Sequence, residues 1–359
     1  MAYTTINKSS DYFNTTLYTS NNGSSPRTIT GVGHNPDMIW IKNRDSASYN
    51  HVLSDNVRGI GKIIQPDTTV AESSNSGAGT ITATNSDGFV LTAGSSNLSN
   101  YDVGTNKQVI WSWKANGAGS SNTDGTITST VSANTTSGFS IVKWTGTASA
   151  GTIGHGLGVA PKVVLVKRYS TSGGGWLMQH GDLTGATYVV KLSATSVEEN
   201  DGANFNSAFP TSSVFSVYNS NNTNKSGDLH IAYCFAEKQG YSKFGSYTGN
   251  ANADGPFLYC GFKPAMIFLK NINDGAKNWE IIDNKRPTSG QNPADDILFP
   301  DTSDAESASQ TDRLVDFVSN GIKIRGNSGQ LNGSGNKFIY LAFAEAPLVG
   351  SNNTPCTAR

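Results

Sequence analysis

The sequence predicts an all-β fold, built as three tandem antiparallel β-sandwich or jelly-roll units, on three observations. Short apolar runs rich in β-branched and aromatic residues, such as Met38-Ile39-Trp40-Ile41 and Lys162-Val163-Val164-Leu165-Val166, alternate with stretches of Gly, Ser, Thr and Asn. Runs of that length read as buried strands and the polar stretches between them as turns. No segment joins helical periodicity to a cap over about 12 residues; the best candidate, Gln310 to Ser319, is too short to change the class. Finally, one pattern occurs three times, and self-similarity of this kind sets the architecture.

The repeat is gapless over its most informative stretch. Gly33, Gly158 and Gly261 each stand three residues before Pro36, Pro161 and Pro264, and Lys42, Lys167 and Lys270 stand six after. His51, Trp176 and Trp279 follow the proline by fifteen residues, and Asp55, His180 and Asp283 by nineteen. Arg58 and Arg286 match at twenty-two, where the middle copy has Leu183. Each copy opens on a strand-like run (Asn14 to Thr19, Ser140 to Thr145, Lys243 to Thr248) and closes on another (Gln108 to Trp113, His230 to Phe235, Phe338 to Phe343). A further strand precedes each closing one, at Asp87 to Leu91, Val214 to Val217 and Asn320 to Ile324. Polar turns follow at Asn97 to Asn100, Asn219 to Asn222 and Asn327 to Gln330. The expected boundaries are an arm at 1–12, repeats at 13–116, 139–238 and 241–347, a Gly/Ser/Thr-rich linker at 117–138 with a strand at Thr126 to Val131, and a tail at 348–359.

The motif has a physical reading. Gly-x-x-Pro makes a tight turn whose glycine takes positive φ, and proline, lacking a donor, suits the first residue of a strand. The apolar run after it fits a central strand buried on both faces, with the lysine returning the chain to water. Trp176 and Trp279 recur at one position, so they belong to a shared core rather than to a sugar platform. The pairs Asp55–Arg58 and Asp283–Arg286 are expected to fasten the loop beyond their strand, because Arg carries a rigid fork of donors. Tyr49, Tyr101, Tyr169 and Tyr218 lie in polar loops and are the candidate surface contacts for a glycan or a partner.

Composition excludes several function classes. Lys+Arg 26 against Asp+Glu 27 leaves no basic stripe for nucleic acid. No segment approaches the roughly 18 apolar residues of a membrane span, and the N-terminus lacks the basic head and apolar stretch of a signal peptide. Asn-x-Ser/Thr triplets therefore read as unmodified. Cys234, Cys260 and Cys356 cannot frame a disulfide scaffold; the first two sit in apolar runs and read as buried thiols.

Constellations that could carry chemistry are weak. His51, Ser54 and Asp55 are neighbours, yet the other copies do not preserve the set and no nucleophile elbow is present. His180 with Asp182 reads as a solvated loop pair rather than a metal site. Asp295-Asp296 and Asp301/Asp304 lack the calcium-loop spacing and read as solvated carboxylates. Gly154-x-Gly156-x-Gly158 leads into a strand, not a helix, so it is a turn rather than a phosphate cradle. Glu198 and Glu199 are adjacent and face opposite sides of a strand, so they cannot work as a glycosidase pair. No catalytic, cofactor-binding or metal residue is assigned.

Several stretches together resemble a repeat family of virion proteins from tailed phages that infect marine bacteria. They are Tyr12 to Thr19, Ile29 to Gly33, Pro36 to Arg44, Ser54 to Gly59, Ser86 to Phe89 and Ile110 to Ala115, with Tyr247 to Asn250 and Gly261 to Pro264 in the third copy. The second copy departs most, at Gln179-His180 and Leu183. The resemblance implies lectin-like sandwich domains, no enzyme activity and no cofactor. It implies assembly in the host cytoplasm into a tail fibre or tail appendage that meets host-surface glycans. A capsid decoration or head-fibre protein is the alternative, and a glycan depolymerase a remote one. Expected partners are other virion proteins and further copies of the chain, in a homotrimer, with the arm Met1 to Tyr12 tied to a neighbouring subunit or another virion protein, or else adding an edge strand to the first copy.

Overall fold

The computed structural model describes residues 3–21, 25–74, 79–92, 101–102, 104–287, 290, 292–350 and 355–356. The turn expected at Asn97 to Asn100 lies outside them. Among the described residues strands far outnumber helical turns, and every pairing between strands given below is antiparallel. Its helical turns are confined to Ser9–Asp11 and Gly329–Asn332. Gln310 to Ser319 holds no helix; Val315–Val318 there is a strand.

Three segments each build a four-stranded antiparallel core in one order. In the first, Phe13–Thr19, Lys107–Trp113, Met38–Asn43 and Val52–Asp55 lie side by side. In the second the order is Phe139–Thr145, Leu229–Phe235, Val163–Arg168 and Trp176–His180. The third places Ser242–Thr248, Lys337–Pro347, Phe262–Asn271 and Trp279–Asp283 alike. Register is also shared. Met38 pairs with Trp113 and Asp55, Val163 with Phe235 and His180, and Met266 with Phe343 and Asp283. Each of these is the second residue after its repeat proline, so the prolines mark one point in three sheets. The third strand runs through Pro264 with register shifts on both sides, the kind of irregularity where proline's missing N–H is tolerated. Gly33, Gly158 and Gly261 take φ of +86°, +71° and +76°, which non-glycine residues adopt only at a cost.

Residues alternate between the two faces of a strand, and both faces are covered. On one face lies a small sheet from the same segment: Arg27–Ile29 with Gly88–Thr92 and Thr80–Asn85, Gly151–Gly154 with Val214–Val217, or Phe257–Tyr259 with Gly321–Ile324 and Val315–Val318. Ile29, Phe89 and Leu91 pack there on Ile39, Ile41 and Ile110, and the other two segments form matching clusters. The opposite faces of all three four-stranded sheets meet in one shared core. Corresponding positions converge in it: Trp40, Leu165 and Phe268; Leu53, Met178 and Ile281; Trp111, Tyr233 and Leu341; Trp113, Phe235 and Phe343. A void of about 30 Å³ remains where they meet.

One sequence expectation needs correction. Residues 117–138 are not a linker: Ser129–Asn134 pairs onto Phe139–Thr145 and Ser120–Asn122 onto Ser129–Asn134, and with Tyr188–Lys191 and Glu199–Asn200 on the far side they make the second sheet eight-stranded. The strand expected at Thr126 to Val131 overlaps Ser129–Asn134, but serine and threonine suit an exposed edge as well as a loop, which is why composition misses that the whole stretch belongs to the sheet. The arm packs on this same chain. Tyr3 Oη donates to Gly261 O at 2.6 Å, Thr4 Oγ1 donates to Gln239 O at 2.7 Å, and Ile6 is buried in the shared core. Removing residues 1–12 is therefore expected to lower the melting midpoint, and Ile6→Ala alone to cost about 2–4 kcal/mol in urea titrations.

Candidate functional site

The residues that recur in the repeat gather at the three joints between segments. Lys42, Lys167 and Lys270 point to the inner face, because they keep the parity of Trp40, Leu165 and Phe268. All three are fully buried, so the expectation that they return the strand to water is overturned. Each ammonium instead binds carbonyls of its own loop and of a neighbouring segment's loop. Lys42 Nζ donates to Tyr49 O and Ser303 O at 2.9 Å, and Lys167 Nζ to Gly174 O at 2.6 Å and Thr68 O at 3.4 Å. Lys270 Nζ donates to Lys277 O and, at 3.1 Å, to Thr195 O. Burial lowers their pKa values to about 8, 7 and 8 respectively, with the Arg168 charge adding to the effect at Lys167.

The position fifteen after the proline acts in the same sense. His51 Nε2 lies 3.0 Å from Phe299 O, Trp176 Nε1 donates to Gln65 O at 2.9 Å, and Trp279 Nε1 donates to Lys191 O at 2.8 Å. First segment reaches third, second reaches first, and third reaches second, which closes a ring. A recurrent glutamate that the sequence reading missed continues the pattern. The backbone N–H groups of Glu72, Glu198 and Glu306 donate to Tyr169 O, Ile272 O and Arg44 O, each eight residues after the next repeat proline. Its distance from its own proline differs among copies, so a gapless comparison cannot find it.

The Asp–Arg pairs complete two of the joints. Arg58 Nε donates to Asp55 Oδ2 and Arg286 Nε to Asp283 Oδ2, both at 2.7 Å, with all four side chains fully buried. Oδ1 of each aspartate accepts two backbone N–H groups of the following turn, as a loop fastener should. Each arginine also grips the recurrent glutamate, Glu72 at 3.0 Å and Glu306 at 2.8 Å. Across the joints, Tyr233 Oη donates to Asp55 Oδ2 at 2.7 Å and Trp111 Nε1 to Asp283 Oδ2 at 3.1 Å. Burial alone would lower the Arg58 pKa, but the charges of Asp55, Tyr233 and Glu72 outweigh it and raise it. The second segment has His180 and Leu183 instead, and His180 Nε2 lies 3.4 Å from Tyr340 O.

This geometry bears on the chemical readings. His51 Nδ1 accepts from Trp40 Nε1 at 2.9 Å while Nε2 faces Phe299 O, so neither ring nitrogen is left for Ser54. His180 is buried rather than solvated, its Nδ1 accepting from the Asp182 N–H at 3.0 Å. Asp295, Asp296 and Asp301 are likewise buried, against expectation, and burial lifts Asp301 to about 6. Among the described residues no group of three His, Cys, Asp or Glu side chains is placed to share a metal ion. Of the candidate surface tyrosines, Tyr101 and Tyr169 are buried, their rings packed into apolar clusters. Tyr218 is 44% exposed and Tyr49 partly exposed. Cys234 and Cys260 are buried free thiols, and Trp176 and Trp279 lie in the shared core.

Two outcomes follow from the joints. Arg286→Ala leaves Asp283 a buried carboxylate without its cation and takes one of two arginines from Glu306, so it is expected to cost about 3–5 kcal/mol in denaturant titrations. The lysines predict a pH dependence. Folded Lys167 holds its proton only to about 7, whereas an unfolded lysine holds it to roughly 10.4. Between those values the unfolded chain binds the extra proton, so stability rises with pH, until cysteines of the unfolded chain ionise at about 8.5 while burial keeps Cys234 and Cys260 protonated to about 12. The urea midpoint should climb from neutral pH toward pH ~8.5, and Lys167→Met should flatten that climb.

No curated protein and no solved structure matches this chain. A family model matches residues 8–347, a span that takes in all three segments and their joints. The chain belongs to that family, which is described as a domain of unknown function (DUF7483).

Proposed function

We propose that this chain is a structural protein of a tailed-phage virion, a tail fibre or tail-associated appendage that displays three tandem lectin-like β-sandwiches toward host-surface glycans. The observation that carries the proposal is the use of the repeat's own signature residues. Lys42, Lys167, Lys270, Trp176, Trp279 and both Asp–Arg pairs are spent on holding segments to one another. A repeat whose shared residues serve assembly suits a scaffold, and its variable loops remain for contact. The virion location rests on the family resemblance of the repeat stretches. A capsid decoration or head-fibre protein has the same architecture and is separated by number and position.

The homotrimer belongs to the proposal on changed grounds. Three segments already close a ring within one chain, so association between chains must use rim loops and open strand edges rather than the inner faces. Quantitative mass spectrometry of purified virions decides between locations. A few tens of chains at the tail are expected, and hundreds on the shell would select the decoration reading. Light scattering on the isolated chain is expected to give three times the monomer mass; a monomer would remove the trimer and leave the scaffold.

A further inference from the structure

The joint between the second and third segments differs from that between the third and first at the end marked by the prolines. Two surface troughs of about 420 and 430 Å³ meet there at Glu237. The first lies beside Lys162, Phe209 and Lys238, the second beside Gln239, Lys243 and Tyr259. Phe209 is 41% and Tyr259 57% exposed, and large aromatic faces left open in a concave surface commonly mark a contact site. The second trough is firmly built. Tyr3 Oη is held by Gly261 O at 2.6 Å, and a Cβ at Gly261 would meet that hydroxyl at 2.6 Å.

Charge narrows the ligand class. Glu237 pairs with Lys243 at 3.1 Å and lies 3.9 Å from Lys162, which itself pairs with Asp182 at 3.0 Å. Lys238 makes no ion pair among the described residues, so three cations face two carboxylates and one positive charge is left over. The corresponding trough at the third–first joint, about 280 Å³, has Lys285 and Glu345 but no exposed aromatic face. Aromatic platforms and surplus positive charge therefore coincide only at the second–third joint of these two. Sugar rings offer apolar CH faces to Tyr259 and Phe209, hydroxyls to Gln239 and the Lys–Glu pairs, and a uronate carboxylate to Lys238.

We propose that this double trough binds an anionic oligosaccharide, a chain of sugars that includes uronic acids. The inference deepens the glycan-attachment reading by giving it a site and a ligand class. Calorimetric titration of the full chain with hexagalacturonate tests it, with maltohexaose, hexaglutamate and inorganic phosphate as the other arms. Hexagalacturonate should bind about tenfold more tightly than each of the others. Tyr259→Ala and Phe209→Ala should each weaken it about fivefold while leaving the melting midpoint unchanged. Lys238→Ala should reduce the salt dependence of binding. No binding of hexagalacturonate, or undiminished binding by both aromatic variants, would overturn the proposal. Equal binding of hexaglutamate or phosphate would also overturn it, leaving a general anion surface. Failure here leaves the virion location standing, since that rests on copy number and position; absence from virions with binding intact would do the reverse.

Discussion

Burial of three inner sheet faces against one another is the constraint on which the rest of this structure depends. Each four-stranded sheet is apolar on both faces, and its own small sheet covers only one. The other carries Trp40, Trp111 and Trp113 in the first segment, with Tyr233 and Phe235 or Phe268 and Phe343 at matching sites. Aromatic side chains bury far more area than aliphatic ones, so an isolated segment would expose a large apolar patch of the kind that drives association. The segments are therefore parts of one folding unit. Removing any of them would uncover the inner faces of the other two.

Closing such a core brings irregular backbone into it, and the polar repeat positions answer that demand. The loops carrying Thr68, Thr195 and Ser303 run over a neighbour's inner edge, where their carbonyls lose water. Buried carbonyls need donors, and the donors are the lysine ammonium groups and the ring N–H groups of Trp176, Trp279 and His51. An ammonium offers several donors on a flexible stem, so one lysine can bind its own loop and a neighbour's together. The arrangement buries a charge with few anions near it, which is why all three lysines hold their protons less firmly than usual.

Much of this was legible in the sequence, and the illegible remainder has a common cause. Strand positions, the shared register after each proline and the core place of Trp176 and Trp279 follow from gapless spacing within a hairpin. Spacing of that kind transmits register directly, because side chains alternate along a strand. The burial of Lys42, Lys167 and Lys270 does not follow, since it depends on a loop from another segment. The same holds for Tyr169, whose ring lies near Arg58 of the first segment, and for the arm, whose partner Gly261 lies far along the chain. Local sequence specified each sheet, while the packing of sheet on sheet supplied what local pattern could not.

The unequal joints make sense when set beside the connections that span them. Segments two and three are joined directly through Lys238-Gln239-Gly240-Tyr241, and their joint carries His180 and Leu183 in place of the buried ion pair. Segments one and two are joined over a similar distance, from Trp113 to the edge strand that starts at Ser120, and Asp55, Arg58, Glu72 and Tyr233 link them. No tether brings the third segment back to the first. That joint has the densest network: Arg44 and Arg286 both grip Glu306, at 2.6 and 2.8 Å, and Trp111 reaches Asp283. A short tether holds two surfaces at high effective concentration, and that advantage falls as the connection lengthens. The ionic network is therefore concentrated where the chain itself contributes least to closure, and the ring's last contact is made by its most polar joint.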